Sequence, residues 1–125
     1  RGLMNLGVAL VAVNRLGEAV DVFRRAVAAD PANGESQRNL AQALFDSRNL
    51  EEALAQAERA VALLPADPSA HTLFGRALAV AGKLDEARAH LEHALRLAPD
   101  DAGAADSLAT LKRLEADRAP PRRAR

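Results

Sequence analysis

The chain has 125 residues, enough for one compact domain, with no cysteine and a formal net charge of zero. The missing cysteines exclude disulfides and thiolate metal sites, and the zero net charge excludes a global field drawing the chain to nucleic acid or an anionic membrane. The balance hides an asymmetry: residues 118–125 hold four arginines and no acid, so residues 1–117 carry 13 basic and 17 acidic side chains. Phe23, Phe45 and Phe74 are the whole aromatic complement, and Ala and Arg are abundant beside only two lysines, Lys83 and Lys112, a composition associated with GC-rich bacterial genomes.

Residues 3–13 are apolar apart from Asn5 and follow Arg1. The run has the look of a signal-peptide core, but it is too short to span a bilayer, which takes about 20 apolar residues, and it reads as a helix. A second helix is expected over 17–29, before Pro31. The next two are expected over 34–47 and 51–64, before Pro65. Asp67 or Ser69 can cap a fifth helix that opens at Pro68, where the missing N–H costs nothing. Leu73, Phe74, Leu78 and Val80 give it helical periodicity, and Gly82 stops it. Asp85 and Glu86 open a sixth helix with charge that complements its positive end. Ala87, Leu91, Ala94, Leu95 and Leu97 form its buried stripe, and Pro99 ends it. A single helix over 102–116 follows. Pro120 and Pro121 close the pattern, and the tail 118–125 is expected to be disordered.

Pro31, Pro65 and Pro99 are spaced 34 residues apart, and much else keeps that interval. Gly7, Ala41, Gly75 and Ala109 repeat, as do Ala19, Ala53 and Ala87; Ala26, Ala60 and Ala94; Leu6, Leu40, Phe74 and Leu108; and Leu10, Leu44 and Leu78. Copying one helix pair at a fixed period predicts an all-α solenoid of antiparallel helix pairs. The units are about 1–33, 34–67 and 68–101, with a capping helix over 102–117. Arg48 replaces the glycine seen at Gly82, so the second turn is expected to have a different chemistry. Small residues let paired helices cross closely, with Gly7 expected against Ala26, Ala41 against Ala60 and Gly75 against Ala94. A bulky replacement there would overpack the crossing. Lys112 stands where Leu78 stood, as suits a final helix with a more polar face.

The runs Asn5-Leu6-Gly7 with Leu10, Glu18-Ala19, Phe23, Ala26 and Asp30-Pro31 resemble the tetratricopeptide repeat. So do Phe74-Gly75, Leu78, Gly82, Asp85-Glu86-Ala87, Leu91, Ala94 and Pro99. The resemblance covers residues 1–117; Leu10, Leu44, Ala57 and Leu91 are aliphatic or small where the family often has aromatics. It implies a protein–protein interaction scaffold whose first helices line a concave groove. The inward residues would be Met4, Asn5, Val8 and Ala12, then Arg38, Asn39, Gln42 and Phe45, then Thr72, Leu73, Arg76 and Val80. Asn5 and Asn39 can pair with a peptide backbone, Arg38 and Arg76 can hold a carboxylate, and Met4, Val8, Phe45 and Leu73 can take apolar side chains. Some relatives clamp the acidic C-terminus of chaperones with Lys, Asn and Arg. The corresponding positions are Met4, Val8, Asn39, Ser69 and Leu73, of which only Asn39 fits.

Catalytic fingerprints for nucleotide, serine-hydrolase or zinc-protease chemistry are missing from the sequence, so no enzyme activity and no cofactor are expected. His90 and His93, three apart on one helix, offer two nitrogens, short of the four ligands a structural zinc wants; they are expected as solvated surface residues, with His71 in a packing or surface role. The expected partner is a protein or peptide, with no nucleic acid and no membrane span. The first helix, apolar on more than one face, suggests further repeats upstream in a larger bacterial protein, or self-association. An accessory role beside an upstream enzyme such as a transferase is the alternative. The compartment is open, cytoplasmic by default with a periplasmic location compatible.

Overall fold

The computed structural model describes residues 2–118. They form seven helices and, among the described residues, no strand: α1 (Gly2–Ala12), α2 (Leu16–Ala29), α3 (Gly34–Asp46), α4 (Leu50–Leu63), α5 (Pro68–Val80), α6 (Leu84–Leu97) and α7 (Ala102–Arg118). The tail beyond Arg118 lies outside the described residues, and Arg118 itself closes α7. Each helix packs on the next in sequence, and the first helices also meet, α3 with α5 and α5 with α7. The result is an all-α helical repeat of three antiparallel pairs and a final single helix.

The 34-residue interval is written into the backbone. Within each pair the first helix ends in a left-handed residue, at Asn14 (φ 61°), Arg48 (φ 68°) and Gly82 (φ 83°). The following N–H groups of Arg15, Asn49 and Lys83 donate back to the carbonyls of Leu10, Leu44 and Leu78 at 2.8, 2.9 and 2.9 Å. That is the bond of a Schellman ending, which satisfies carbonyls the helix itself leaves open. The carbonyls of Arg15, Asn49 and Lys83 then accept from Ala19, Ala53 and Ala87, the first bond of the second helix. The turn at Arg48 therefore has the same geometry as the one at Gly82, contrary to the different turn expected from its side chain. Between pairs, Asp30, Leu64 and Ala98 leave the helical region (φ −148°, −127° and −141°; ψ 82°, 62° and 84°), as suits a residue before proline. Asn33, Asp67 and Asp101 then accept the free N–H of Ser36, Ser69 and Ala104 at 3.2, 3.0 and 3.1 Å.

The core is thin and made largely of alanine. Ala19, Ala53 and Ala87 are buried, as are Ala26, Ala60 and Ala94. The large buried side chains are few, among them Phe23, Leu40, Leu44, Leu91 and Leu111. The partners across each crossing differ from the expected alanines. A Cβ added to Gly7 would lie 2.3 Å from the Phe23 ring, and one added to Gly75 would lie 2.8 Å from Leu91 Cγ and 3.2 Å from the Ala87 carbonyl oxygen. Phe23, Ala57 and Leu91 share one register position, so the three crossings read Gly7 with Phe23, Ala41 with Ala57, and Gly75 with Leu91. Glycine faces a large side chain, and alanine shares a fully buried cluster with alanine. The Cα–Cβ bond leans toward the helix N-terminus, which shifts each contact by one turn from the alanines first expected.

The last helix departs most from the pattern. Ala109 holds the crossing position but is exposed, since no described second helix follows α7. Ala104 and Leu111 are buried instead, and Leu111 replaces the contact that Lys112 cannot make. Leu97, read as part of the buried stripe of α6, is exposed.

The left-handed conformation costs a side-chain-bearing residue roughly 1–2 kcal/mol, part of which glycine returns through its freer unfolded chain. Arg48→Gly is accordingly expected to stabilise the fold by up to about 1 kcal/mol, seen as a higher melting temperature, and Gly82→Arg to lower it. An Arg48→Gly variant that melts lower would contradict the turn described.

Candidate functional site

Two hollows open between adjacent first helices. The first, ≈ 220 Å³, lies between α1 and α3 and is lined by Val8, Val11, Asn39, Gln42, Ala43 and Asp46 over a floor of Phe23. The second, ≈ 330 Å³, lies between α3, α5 and α7, where Phe45, Ala79, Val80, Thr110 and Leu114 stand over a floor of Leu91. Both floors are the large partners of the glycine crossings. The walls keep the repeat interval: Val8, Gln42, Arg76 and Thr110 are one register position, and Asp46, Val80 and Leu114 another. Val80 and Leu114 are 53% and 43% exposed, so they offer apolar surface to a ligand.

The structure sorts the inward residues read from the sequence. Val8, Asn39 and Gln42 line the first hollow, and Phe45 and Arg76 the second. Met4 lies beside them, its sulfur 3.2 Å from Ser36 Oγ and 3.8 Å from Asn39 Nδ2. Asn5 is exposed. Thr72 and Leu73 are buried, and Leu73 belongs to the core rather than to the surface. The contribution of α7, through Ser107, Thr110 and Leu114, was not anticipated. Its signal was present, since Thr110 and Leu114 follow Arg76 and Val80 by one repeat.

The arginines expected to hold a carboxylate are engaged by the fold. Arg38 pairs with Asp67, the cap of α5. Arg76 Nε donates to Ser107 Oγ at 2.7 Å, and its Nη2 reaches the Gly103 carbonyl at 3.5 Å. Arg24 and Arg88 make further links between successive units, to Glu52 and Glu115. The hydrogen bond from Arg24 holds the Glu52 carboxyl below its usual range. Pairs this exposed contribute little to stability, about 1 kcal/mol or less each; their role is to set how one unit sits on the next.

His90 and His93 are not the solvated surface residues expected, and His71 takes a packing role. His71 is buried, and His90 and His93 are half-buried against it. The His71 and His93 rings stack at 4.2 Å and 13°. His71 Nδ1 and His90 Nδ1 are 3.1 Å apart. Among the described residues no three His, Asp or Glu side chains are placed to share a metal ion. None of the described helices is long and apolar enough to cross a membrane.

A family model described as the tetratricopeptide repeat matches residues 4–71 and again 38–102. The chain belongs to the tetratricopeptide repeat family. Comparison with curated proteins gives no match. Among solved structures, the chain is similar to the first tetratricopeptide domain of Spaghetti (RPAP3) bound to the HSP90 peptide SRMEEVD. The identity is 28%, over 91% of this chain and 90% of that one, with a TM-score of 0.86. It is likewise similar to the second such domain of human RPAP3 in complex with the HSP70 peptide SGPTIEEVD (28% identity, 88% and 92% covered, TM-score 0.82). The tetratricopeptide domain of Sgt2 from Aspergillus fumigatus matches at 26% identity over 98% of this chain and 85% of that one, with a TM-score of 0.86. The family and these structures make the chain a protein-interaction scaffold of the tetratricopeptide type.

Proposed function

We propose that the first-helix face binds an extended segment of a partner protein, and that it selects apolar side chains rather than an acidic terminus. The observation that carries this reading is the pair of hollows in line, floored by Phe23 and Leu91 and walled by Val8, Phe45, Val80 and Leu114. Apolar pockets with a few polar groups are the usual form of a binding site. Asn39 and Gln42 supply amides on the wall of the first hollow, suited to a peptide backbone. The two structural relatives solved with peptides hold SRMEEVD and SGPTIEEVD, both acidic at the C-terminus. Here the clamp positions carry Met4, Val8 and Leu73, and Arg38 and Arg76 are bound internally. An acidic terminus would meet no unengaged cation at those positions.

The outer side of α1 supports a second element of the reading. Leu6 is 48% exposed, whereas Leu40 and Phe74 at the same register position are 2% and 9% exposed, each between two second helices. We propose that the second helix of a preceding repeat covers Leu6 and Val13, making this chain a module of a larger protein, bacterial by its composition. Self-association, or contact with an enzyme domain that these repeats serve, would use the same face.

Two measurements check these readings. Selection from a random peptide library should return peptides with spaced apolar residues and few acids. The Val80→Lys, Leu114→Lys double variant should weaken the best of them at least about tenfold without changing the melting curve. Equal binding by the variant, or tighter binding of SRMEEVD, would contradict the groove reading. In sedimentation, a monomer at tens of micromolar is expected if a preceding helix is the natural cover; a dimer abolished by Leu6→Lys would assign the face to a second copy.

A further inference from the structure

Two of the three histidines, His71 and His90, occupy positions that carry other residue types elsewhere in the repeat. His71 and His90 stand one interval after Gln37 and Gln56, which stand one interval after Leu3 and Val22. In the second unit Gln37 Nε2 donates to the Pro31 carbonyl at 3.0 Å. In the third, His71 Nε2 makes the same bond to the Pro65 carbonyl at 2.8 Å. The equivalent positions of the two helices therefore carry Leu3 and Val22, then the amides Gln37 and Gln56, then the imidazoles His71 and His90, and a bond across the pair forms between the imidazoles. Only the last can change charge near neutral pH.

The hydrogen bonds fix the neutral state. A carbonyl oxygen only accepts, so His71 Nε2 carries the proton and its Nδ1 is an acceptor. His90 Nδ1 must then donate across the 3.1 Å gap. The ring centres are 5.3 Å apart, so both Nδ1 atoms lie between them and face each other nearly head on. This is the geometry of one shared proton; a common metal ion would need the lone pairs to converge off that line. His93 covers the His71 ring from one side, and Phe74 meets His90 at 4.6 Å.

We propose that His71, His90 and His93 form a proton-sensitive latch that ties α5 to α6 when neutral and loosens this helix pair as protons are taken up. A proton added to His90 leaves a half-buried cation beside two further imidazoles. A second proton at the pair sets one N–H against another. Burial first, and then the charges of His71 and His93, hold His90 below the ordinary histidine value, opposed by Glu86 on α6. Burial first, then His71 and Arg96, likewise hold His93 low. From α4, Glu51 and Glu58 face His90 across a cleft that Lys83 and Glu86 also line. On the α7 side, Arg88 of α6 is paired with Glu115.

The sign follows from linkage. Histidines held below their unfolded value bind fewer protons folded than unfolded. Their contribution is present above the unfolded value of about 6.5 and is lost as pH falls through the lowered folded values. Because α5 and α6 supply Ala79, Val80 and Leu91 to the second hollow, the loss falls on the groove end of the chain. The stability readout does not depend on whether that groove binds a peptide.

Thermal unfolding of the full chain at about pH 7.5 and about pH 5 tests the latch. The H71Q/H90Q double variant installs the amide pair of the second unit as the control. The wild type is expected to lose at least about 3 °C more than the double variant over that interval, and an equal loss overturns the proposal. Should the double variant not fold, NMR titration of the wild-type histidines decides. Midpoints for His90 and His93 below the ordinary value, with amide protection in α5 and α6 falling more than in α1 and α2, are the expected result. Midpoints at or above that value, or a uniform loss of protection, overturn it.

Discussion

Everything on the surface of this chain depends on how closely the two helices of each pair cross. The crossing is set by complementary volume: Gly7 lies under Phe23, Ala41 shares a cluster with Ala57, and Gly75 lies under Leu91. Interiors are close-packed, so volume removed on one helix is taken up on the other. Capping bonds and Schellman endings define where helices start and stop, but the crossing determines which face each first helix turns outward. That outward face carries Val8, Gln42, Arg76 and Thr110, and it is the face where the hollows open. The large crossing partners, Phe23 and Leu91, also form the floors of those hollows, so packing and the proposed binding surface are one construction.

Between units the chain uses a different device. Arg24 with Glu52, Arg38 with Asp67, Arg76 with Ser107 and Gly103, and Arg88 with Glu115 each join one helix pair to the next or to α7. These contacts are directional and only partly buried, so they orient more than they stabilise. They also remove cations from the groove. What is left there is apolar surface with amides, hydroxyls and the carboxylates Asp46 and Asp106, which separates this groove from one built to grip a terminal carboxylate.

Much of this was legible in the sequence because the repeat is read against itself. The 34-residue interval placed the helices to within one or two residues at most ends, and Asp67 was named as a cap. What was missed follows from physical causes that spacing alone does not carry. Arg48 was read by its side chain, yet the Schellman bond to Leu44 imposes the left-handed backbone that Gly82 adopts freely. The partner of Gly75 was sought at Ala94, but the lean of Cβ selects Leu91. Arg38 and Arg76 look free in a sequence and become engaged only when Asp67 and Ser107 are brought beside them. His90 was judged with His93 and apart from His71; set over Gln37 and Gln56, His71 and His90 read as facing positions of one helix pair.

The most direct test of the crossing is a double-mutant cycle between Gly75 and Leu91, with unfolding free energies from denaturant melts. Leu91→Ala alone should cost about 2–5 kcal/mol through the cavity it leaves. Gly75→Ala alone should destabilise, because the new Cβ meets Leu91 Cγ at 2.8 Å and the Ala87 carbonyl at 3.2 Å. In the Leu91→Ala background the same change should be neutral or stabilising, since it recreates the Ala41–Ala57 pair and removes a helical glycine worth about 1 kcal/mol. A coupling above about 1 kcal/mol is the predicted result. Additive effects of the two substitutions would contradict the account.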